Sequence, residues 1–274
     1  MTTTGRFSNR VADYVSGRPG YPDAVIPWLV TTCGLAPASP IADVGAGTGI
    51  SATLFLRHGF SVVAVEPNDA MREAAVLALG GDPRFRAVGA PAEATTLPAA
   101  SVAAVVAAQA FHWFDRTAFR AECVRILRPR GIVALLWNVR RVDGSAFAAD
   151  YETLLRTYGT DYLAVRHENV TDEELADFFG GSFERSVFDN VQLLDRDGLR
   201  ARLLSSSYVP AAGQDRHEPM LAALDELYRV HQRDGIVRME YELRAYASRL
   251  TSPSAPEPRP PSQRPTGSTP SNAS

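Results

Sequence analysis

Asp43-Val44-Gly45-Ala46-Gly47-Thr48-Gly49 follows a short apolar run at Ile41 and Ala42 and precedes an apolar-periodic segment from Ile50 to Leu56. The order reads strand, glycine turn, helix. Glycines at alternate positions let the backbone turn sharply and admit a ligand against bare main chain. The helix that follows points its unpaired N–H groups at that ligand. Such a turn suits an adenine-containing cofactor. Its spacing argues against a dinucleotide, whose fingerprint puts two residues between the second and third glycines. Here Gly45, Gly47 and Gly49 alternate, position 50 is Ile, and an acidic residue, Asp43, starts the turn.

The residues downstream agree. Ser61 to Glu66 is an apolar, largely β-branched run ending in a carboxylate. A strand ending in Glu about 20 residues after a glycine turn is placed to hold a ribose diol, because one carboxylate can accept both hydroxyl protons. Pro67 and Asn68 introduce a helix from Asp69 to Leu79. A third strand is expected at Phe85 to Gly89, followed by Ala90-Pro91-Ala92-Glu93 and the Leu97-Pro98 step. A fourth runs from Ser101 to Ala108, small and apolar enough to be buried on both faces. It leads into Gln109-Ala110-Phe111-His112-Trp113-Phe114-Asp115. A helix from Arg116 to Leu127 stops at Arg128-Pro129-Arg130-Gly131, and Ile132 to Trp137 is a fifth strand. Strands alternating with helices predict a parallel sheet with right-handed crossovers, whose ligands sit at the carboxyl ends of the strands.

On these residues the chain resembles the class I S-adenosylmethionine-dependent methyltransferases of the type 11 superfamily. Within it, the chain is similar to a subgroup that includes trans-aconitate methyltransferases. Three segments carry the resemblance: Phe7, Tyr14 and Arg18-Pro19-Gly20-Tyr21-Pro22; Asp43 to Gly49 with Val65-Glu66-Pro67; and Ala108 to Asp115. The glycine motif is shared widely, whereas the Arg-Pro-x-Tyr-Pro and His-Trp-Phe segments are more specific. The resemblance implies a Rossmann-like α/β fold with a seven-stranded, mostly parallel sheet, helices on both faces and an inserted helical cap. It implies S-adenosylmethionine as cofactor. It also implies an N-terminal segment, residues 1–38, that closes over the donor, and a cofactor-binding core at 39–140. The cap helices and a C-terminal strand hairpin would occupy 141–250.

Composition is compatible with this. With 45% hydrophobic residues the chain has ample material for a core, and a net charge of −3 gives no electrostatic reason to expect nucleic acid. Two cysteines, Cys33 and Cys123, imply no disulfide framework and suggest a reducing compartment. No run approaches a membrane span, and the first residues lack the pattern of a signal peptide. All 28 basic residues are arginine, which with abundant alanine points to a GC-rich genome. A cytoplasmic, bacterial protein without metal, monomeric or homodimeric, is the expectation.

Beyond residue 140 the patterns predict helices over Asp143 to Gly159, after a Thr171/Glu174 capping box, over Gly198 to Leu204 and over Pro219 to His231. Strands are expected at about 183–194 and 236–247, which the resemblance makes the edge hairpin. From Thr251 onward the chain is Pro, Ser, Thr and Arg with few apolar residues, a composition expected to stay disordered.

Methyl transfer from a sulfonium is an in-line displacement, so positioning dominates, and only a phenol or alcohol acceptor requires a strong base. The candidate donor contacts are Asp43, Gly45, Ala46, Gly47, Thr48, Gly49, Glu66, Pro67, Ala92, Glu93, Gln109 and Ala110. His112 and Tyr14 are the candidate catalytic groups, with a purely structural His112 as the alternative. Arg18, Tyr21, Trp113, Trp137 and Arg140 are candidate acceptor contacts. Arg18 could instead anchor the N-terminal segment, and Arg140 and Arg141 could be solvated. Trp113 and Phe114 could serve packing, and Asp115 an N-cap. Glycine spacing disfavours a dehydrogenase. The missing Asn/Asp-Pro-Pro-aromatic segment disfavours adenine methylation in nucleic acid. A non-catalytic cofactor-binding protein, or an enzyme using the cofactor for another reaction, keeps the same turn. The acceptor is expected to be a small molecule, methylated on carboxylate, amine, hydroxyl or carbon, in secondary metabolism among other settings.

Overall fold

The computed structural model describes residues 17–160, 162 and 170–250. Tyr14 and the segment from Thr251 onward lie outside the described residues.

Seven strands form one sheet in the order β3-β2-β1-β4-β5-β7-β6. They are β1 Pro40–Val44, β2 Ser61–Val65, β3 Phe85–Val88, β4 Val102–Ala108, β5 Leu127–Arg140, β6 Glu184–Leu194 and β7 Val237–Ser248. The first five pair parallel, and β7 runs antiparallel to both β5 and β6. The chain reverses direction in the sheet between β3 and β4, beside β1. That switch point is where an open α/β sheet offers a crevice to a ligand.

Strand parity sorts the core into two layers. Ile132, Ala134 and Leu136 of β5 join Ala104, Val106 and Ala108 of β4 on one face. Helices α1 (Val25–Thr31) and α2 (Ile50–Arg57) cover this face through Leu29 and Phe55. Val133, Leu135 and Trp137 face the opposite layer, under α4 (Arg116–Ile126) and α6 (Asp172–Phe179). Between these two helices, Phe119 and Phe178 stack with centroids 5.7 Å apart. β4 is buried on both faces, as its small apolar composition predicts. Helix α3 (Asp69–Leu79) is capped by the Asn68 side chain, which accepts from Met71 N–H.

A third cluster makes the cap. Helices α5 (Ala146–Tyr158), α7 (Arg196–Leu204) and α8 (His217–His231) pack Tyr151, Leu203 and Leu224 against Met239 and Tyr241 of β7. The cap therefore grows from the antiparallel edge of the sheet and overhangs the carboxyl end of β5. Among the described residues no helix is long and apolar enough to cross a membrane.

Two expectations change in detail. β5 begins at Leu127 rather than Ile132, absorbing the Arg128-Pro129-Arg130-Gly131 stop, where Arg130 takes a left-handed φ of 68°. Its far end runs on to Arg140, which extends the in–out alternation by three residues beyond Trp137. Cys33 lies just past the C-cap of α1, while Cys123 lies within α4, and both are buried free thiols.

The Thr171 hydroxyl accepts from Glu174 N–H and the Glu174 carboxylate accepts from Thr171 N–H, the capping box read from sequence. Thr171→Ala should cost about 1 kcal/mol of stability, measured as a lower urea midpoint at unchanged slope. An unchanged midpoint would show that α6 is held by Phe178 and Phe179 alone.

Candidate active site

The glycine turn is shaped by its backbone. Gly45, Gly47 and Gly49 take φ values of 70°, 55° and 85°, a region that side chains disfavour. At Gly45 a Cβ would stand 2.5 Å from the Ala110 Cβ and 3.0 Å from Phe114, so the loop after β4 closes on the turn only because that position is bare. The N–H groups of Gly45 and Ala46 both donate to the Val65 carbonyl, at 2.8 and 3.2 Å.

Glu66 sits where β2 ends and is nearly buried. Its Oε2 accepts from Gly47 N–H at 2.9 Å and its Oε1 from Asn68 N–H at 2.8 Å. A carboxylate has about four lone-pair sites. The two backbone donors leave capacity for a pair of hydroxyls. Burial raises the Glu66 pKa, opposed by the Asn68 and Gly47 N–H groups and by Arg72.

A cavity of about 320 Å³ opens here, walled by Gly45, Gly47, Glu66, Pro67, Ala92, Glu93, Gln109 and Ala110. Eight of the twelve candidate donor contacts thus share one crevice. Ala46 instead lines the neighbouring cavity. Asp43, Thr48 and Gly49 line neither. Asp43 is fully buried beneath the turn, where its Oδ2 accepts from the Ser51 hydroxyl at 2.6 Å. Thr48 is buried. Gly49 makes room for α3: a Cβ there would lie 2.7 Å from Leu79 and 3.3 Å from Ala75. These three residues support the turn from below.

The second cavity, about 150 Å³, lies under the cap, and its walls include Arg18, Tyr21, His112, Asn138, Arg140, Tyr162, Arg202, Ser207, Tyr208 and Tyr241. Four residues line both cavities: Gly45, Ala108, Gln109 and Trp113. Gln109 is held there in a left-handed conformation, φ 56°, with its N–H donating to the Leu136 carbonyl and its Nε2 to the Asn138 carbonyl. Residues other than glycine adopt such a φ where surrounding structure over-determines them, often at ligand sites.

Arg140 reaches the second cavity as expected, but it is not solvated. Its Nη2 lies 2.5 Å from Glu152 Oε2, and its guanidinium stands over the Tyr151 ring at 5.0 Å. Burial acts to lower the Arg140 pKa, yet Tyr151, Tyr162 and Glu152 hold it above its ordinary value. Arg141, one residue on, points to the opposite side and pairs with Asp189 at the surface. Arg18 lines the cavity and donates to the Ser205 carbonyl at 2.8 Å. The segment around it is tied down as well. Gly17 O accepts from Gln192, and Gly20 O accepts from both Asn138 and Asn190. His112 and Tyr21 line the same cavity. His112 packs on Trp113 with centroids 4.8 Å apart. Phe114 packs against Phe119, and Asp115 caps α4 by accepting from Ala118 N–H.

Trp137 is a correction. It faces away from both cavities and meets Phe111 and Tyr246 edge-on in the opposite core layer. Strand alternation is the reason: Asn138 and Arg140 share the cavity face, so Trp137 cannot. Asn138, Tyr162, Arg202, Tyr208 and Tyr241 were missed by the sequence reading. Parity with Arg140 would have found Asn138. Leu199, Arg202 and Leu203 are all buried on α7, and the spacing that puts an arginine on that helix's apolar face marks Arg202.

Comparison with known proteins follows the same residues. Residues 42–135 match the family model described as "Methyltransferase domain". Over these residues the chain is similar to a methyltransferase domain. An uncharacterized methyltransferase of Mycobacterium tuberculosis is 40% identical over 134 residues, 49% of this chain. The chain spans about half the length of that relative, 52%. An uncharacterized methyltransferase-like protein of Schizosaccharomyces pombe is 28% identical over 88% of this chain and 94% of its own length. Among solved structures, a candidate type II methyltransferase from Anaeromyxobacter dehalogenans aligns with a TM-score of 0.63 at 28% identity, covering 85% of this chain and 98% of that one. A candidate methyltransferase of an antibiotic biosynthesis pathway from Anabaena variabilis aligns at 0.57 and 23% identity, over 86% and 100%, and shares the fold. The matched residues 42–135 contain the glycine turn, Glu66 and the Gln109 loop, whereas the cap arginine Arg202 lies outside them.

Asp43 gives the turn a titration signature. Burial pushes its carboxyl pKa up to about 7, with the Ser51 hydroxyl pulling it down and Glu66 adding to the rise. The folded state therefore holds this proton more tightly than the unfolded state does. The stabilisation is complete below about 3.8 and is lost as pH rises through about 7. Asp43→Asn keeps an acceptor for Ser51 and removes the titration. Its stability relative to the parent should improve by roughly 2–4 kcal/mol between pH 4 and pH 8, read from urea midpoints at both pH values. A difference that does not change with pH would contradict the assignment.

Proposed function

We propose that this protein transfers a methyl group from S-adenosylmethionine to a small-molecule acceptor. The supporting observation is the wall shared by the two cavities, made of Gly45, Ala108, Gln109 and Trp113. One cavity has the features a nucleoside needs: bare backbone at the glycine turn and a carboxylate, Glu66, with capacity left for a diol. The other lacks Glu66 and is walled in part by polar side chains of the cap, among them Arg202 and Tyr208. A donor seated against Glu66, with its sulfonium end at the shared wall, would present its methyl group to the second cavity.

The residues present fit that donor. Gly45 and Gly47 leave room for close approach, Pro91 and Ala92 offer apolar surface beside Glu93, and Met71 closes the crevice below. The faces of Trp113 and Tyr21 are suited to the positive sulfonium. In the transfer, a bond forms between the acceptor's nucleophilic atom and the methyl carbon as the sulfur–methyl bond breaks. The electron pair stays on sulfur, giving the demethylated thioether. The chain's own contribution is alignment: Gln109, fixed by two hydrogen bonds, and Gly45 define the opening through which the two reactants meet. His112 lines the acceptor side only, where it would take a proton from an alcohol or phenol and would have no such task for a carboxylate.

Binding of S-adenosylhomocysteine tests the donor site. Titration calorimetry should show saturable binding to the parent, and Glu66→Ala should weaken it by at least about 1.5 kcal/mol, the scale of hydrogen bonds to a charged group. Glu66→Gln, which keeps the side chain's volume, should fall between the two. Equal affinity in all three proteins would remove Glu66 from the donor site.

A further inference from the structure

The strand at the antiparallel edge of the sheet has features that methyl transfer does not use. β6 pairs with β7 on one side, and among the described residues no strand pairs with it on the other. It is 11 residues long, and its register with β7 is unbroken from Glu184 to Leu194. Edge strands of soluble proteins are commonly guarded by brevity, proline, lysine or a bulge. Glu-Arg-Ser-Val-Phe-Asp-Asn-Val-Gln-Leu-Leu has none of these. Alternate residues face opposite sides of the sheet. Phe188 turns to the layer of α1, where it meets Trp28 edge-on at 6.1 Å. Val187, Val191 and Leu193 lie on the other face and are 56%, 44% and 59% exposed.

The backbone of this edge is oriented too. In an antiparallel strand the N–H and C=O of one residue point to the same side, and successive residues alternate. The Glu240 carbonyl of β7 accepts from Arg141 N–H, so Glu240 turns its backbone toward the end of β5. Its partner on β6, Val191, therefore turns its backbone away from β7. The Val191 N–H is met there by the Asn190 side-chain carbonyl at 3.0 Å. With the register unbroken, Arg185, Val187 and Asp189 also aim their N–H and C=O groups outward. The edge thus reads Arg185-x-Val187-x-Asp189, and a two-fold axis through Val187 makes that pattern match itself. Val187 meets Val187, each Arg185 meets an Asp189, and Val191 falls opposite Phe183. An axis through Ser186 or Phe188 sets Arg185 against Val187 or Val191, and an axis through Asp189 opposes two aspartates. On their own chain Arg185 and Asp189 make solvent-exposed ion pairs with Asp172 and Arg141, at 2.7 Å each. Such pairs are worth little and leave both charges available.

We propose that β6 is a homodimer interface, in which two copies of this chain pair their β6 edges antiparallel about Val187 and join their sheets into one. The charge pattern selects the occupant: a strand complementary to Arg185-x-Val187-x-Asp189 is supplied by a second copy of the same strand. In the pair, the Val187 N–H donates to the Val187 carbonyl of the second copy and the reverse, and Arg185 and Asp189 exchange their backbone bonds across the axis. Opposite charges and β-branched residues set directly across from each other stabilise such a pair. The interface is isologous and uses up the edge, so assembly closes at two. The other edge of the sheet, β3, is only 4 residues long and offers no comparable template. Arg185 and Val187 line neither cavity, so the dimer stands independently of the methyl-donor reading.

Sedimentation of the purified full chain over a range from about 1 to about 300 μM tests the dimer. The mass should rise with concentration toward twice the 29.7 kDa of one chain. A single 29.7 kDa species throughout would overturn the proposal, whether the edge stays open or the chain's own segments cover it. Charge substitutions test the register. Asp189→Arg alone and Arg185→Asp alone should each weaken dimerisation by about tenfold or more, because each opposes like charges twice across the axis. Combining the two substitutions should restore it. The combination makes both ion pairs within the chain repulsive, so a purely structural role for these residues predicts no recovery, and that result would overturn the register. A third variant places a thiol on the axis. Both native cysteines are buried, so Val187→Cys adds the reactive one. Facing Cα atoms of a hydrogen-bonded antiparallel pair lie about 5.5 Å apart, within disulfide reach. Mild oxidation should give a covalent dimer on a non-reducing gel, and Leu77→Cys, exposed on α3, should give little. Equal cross-linking of the two variants would assign the contact to random collision and overturn the proposal.

Discussion

The clamp between the Glu66 carboxylate and the N–H groups of Gly47 and Asn68 is the constraint on which the site depends. It joins three pieces of chain that meet at the switch point of the sheet: the turn after β1, the end of β2 and the start of α3. Each N–H would otherwise be an unsatisfied donor at a loop facing the crevice, and a nearly buried carboxylate would otherwise lack compensation. The clamp thus restricts the backbone freedom of a glycine turn, and it does so with the same group that faces the crevice. Asp43, fully buried one layer below, adds a second carboxyl, and that burial raises its pKa.

From that base the sheet distributes chemistry by parity. On β5, Trp137 and Val139 pack into the core on one side, while Asn138 and Arg140 face the cap on the other. Asn138 then reaches in two directions: its carbonyl accepts from Gln109, and its side chain donates to Gly20. One residue therefore couples the wall between the cavities to the segment of Arg18 and Tyr21, which lines the cap cavity. The two cavities differ in charge as well as in place. Among the described residues, the crevice at the glycine turn is lined by Glu66 and Glu93, and the cap cavity by Arg18, Arg140 and Arg202.

The parts of this arrangement that were legible in the sequence are those governed by local rules. A strand–glycine–helix pattern with a Glu ending the next strand has few physical readings, and the alternation of small apolar strands with helices set the parallel part of the sheet. Asn68, Asp115 and Thr171 were each placed where a helix start needs an acceptor. The acceptor side was less legible because it is assembled from distant pieces. Arg202 comes from α7, Tyr208 from the loop after it and Tyr241 from β7, and no spacing rule links them. Trp137 was misplaced because the fifth strand was read as ending there; the strand runs on to Arg140, and its alternation puts Asn138 and Arg140 on the cavity face and Trp137 on the other. Gly49 has a packing role that the motif did not reveal: its bare Cα makes room for Leu79 and Ala75 of α3.

The most direct measurement of the account is a crystal structure of the protein with S-adenosylhomocysteine. The account predicts both ribose hydroxyls on the Glu66 carboxylate and the sulfur at the wall of Gly45, Gln109 and Trp113, facing the arginine-lined cavity. A nucleoside bound elsewhere, or a sulfur turned away from that wall, would contradict it.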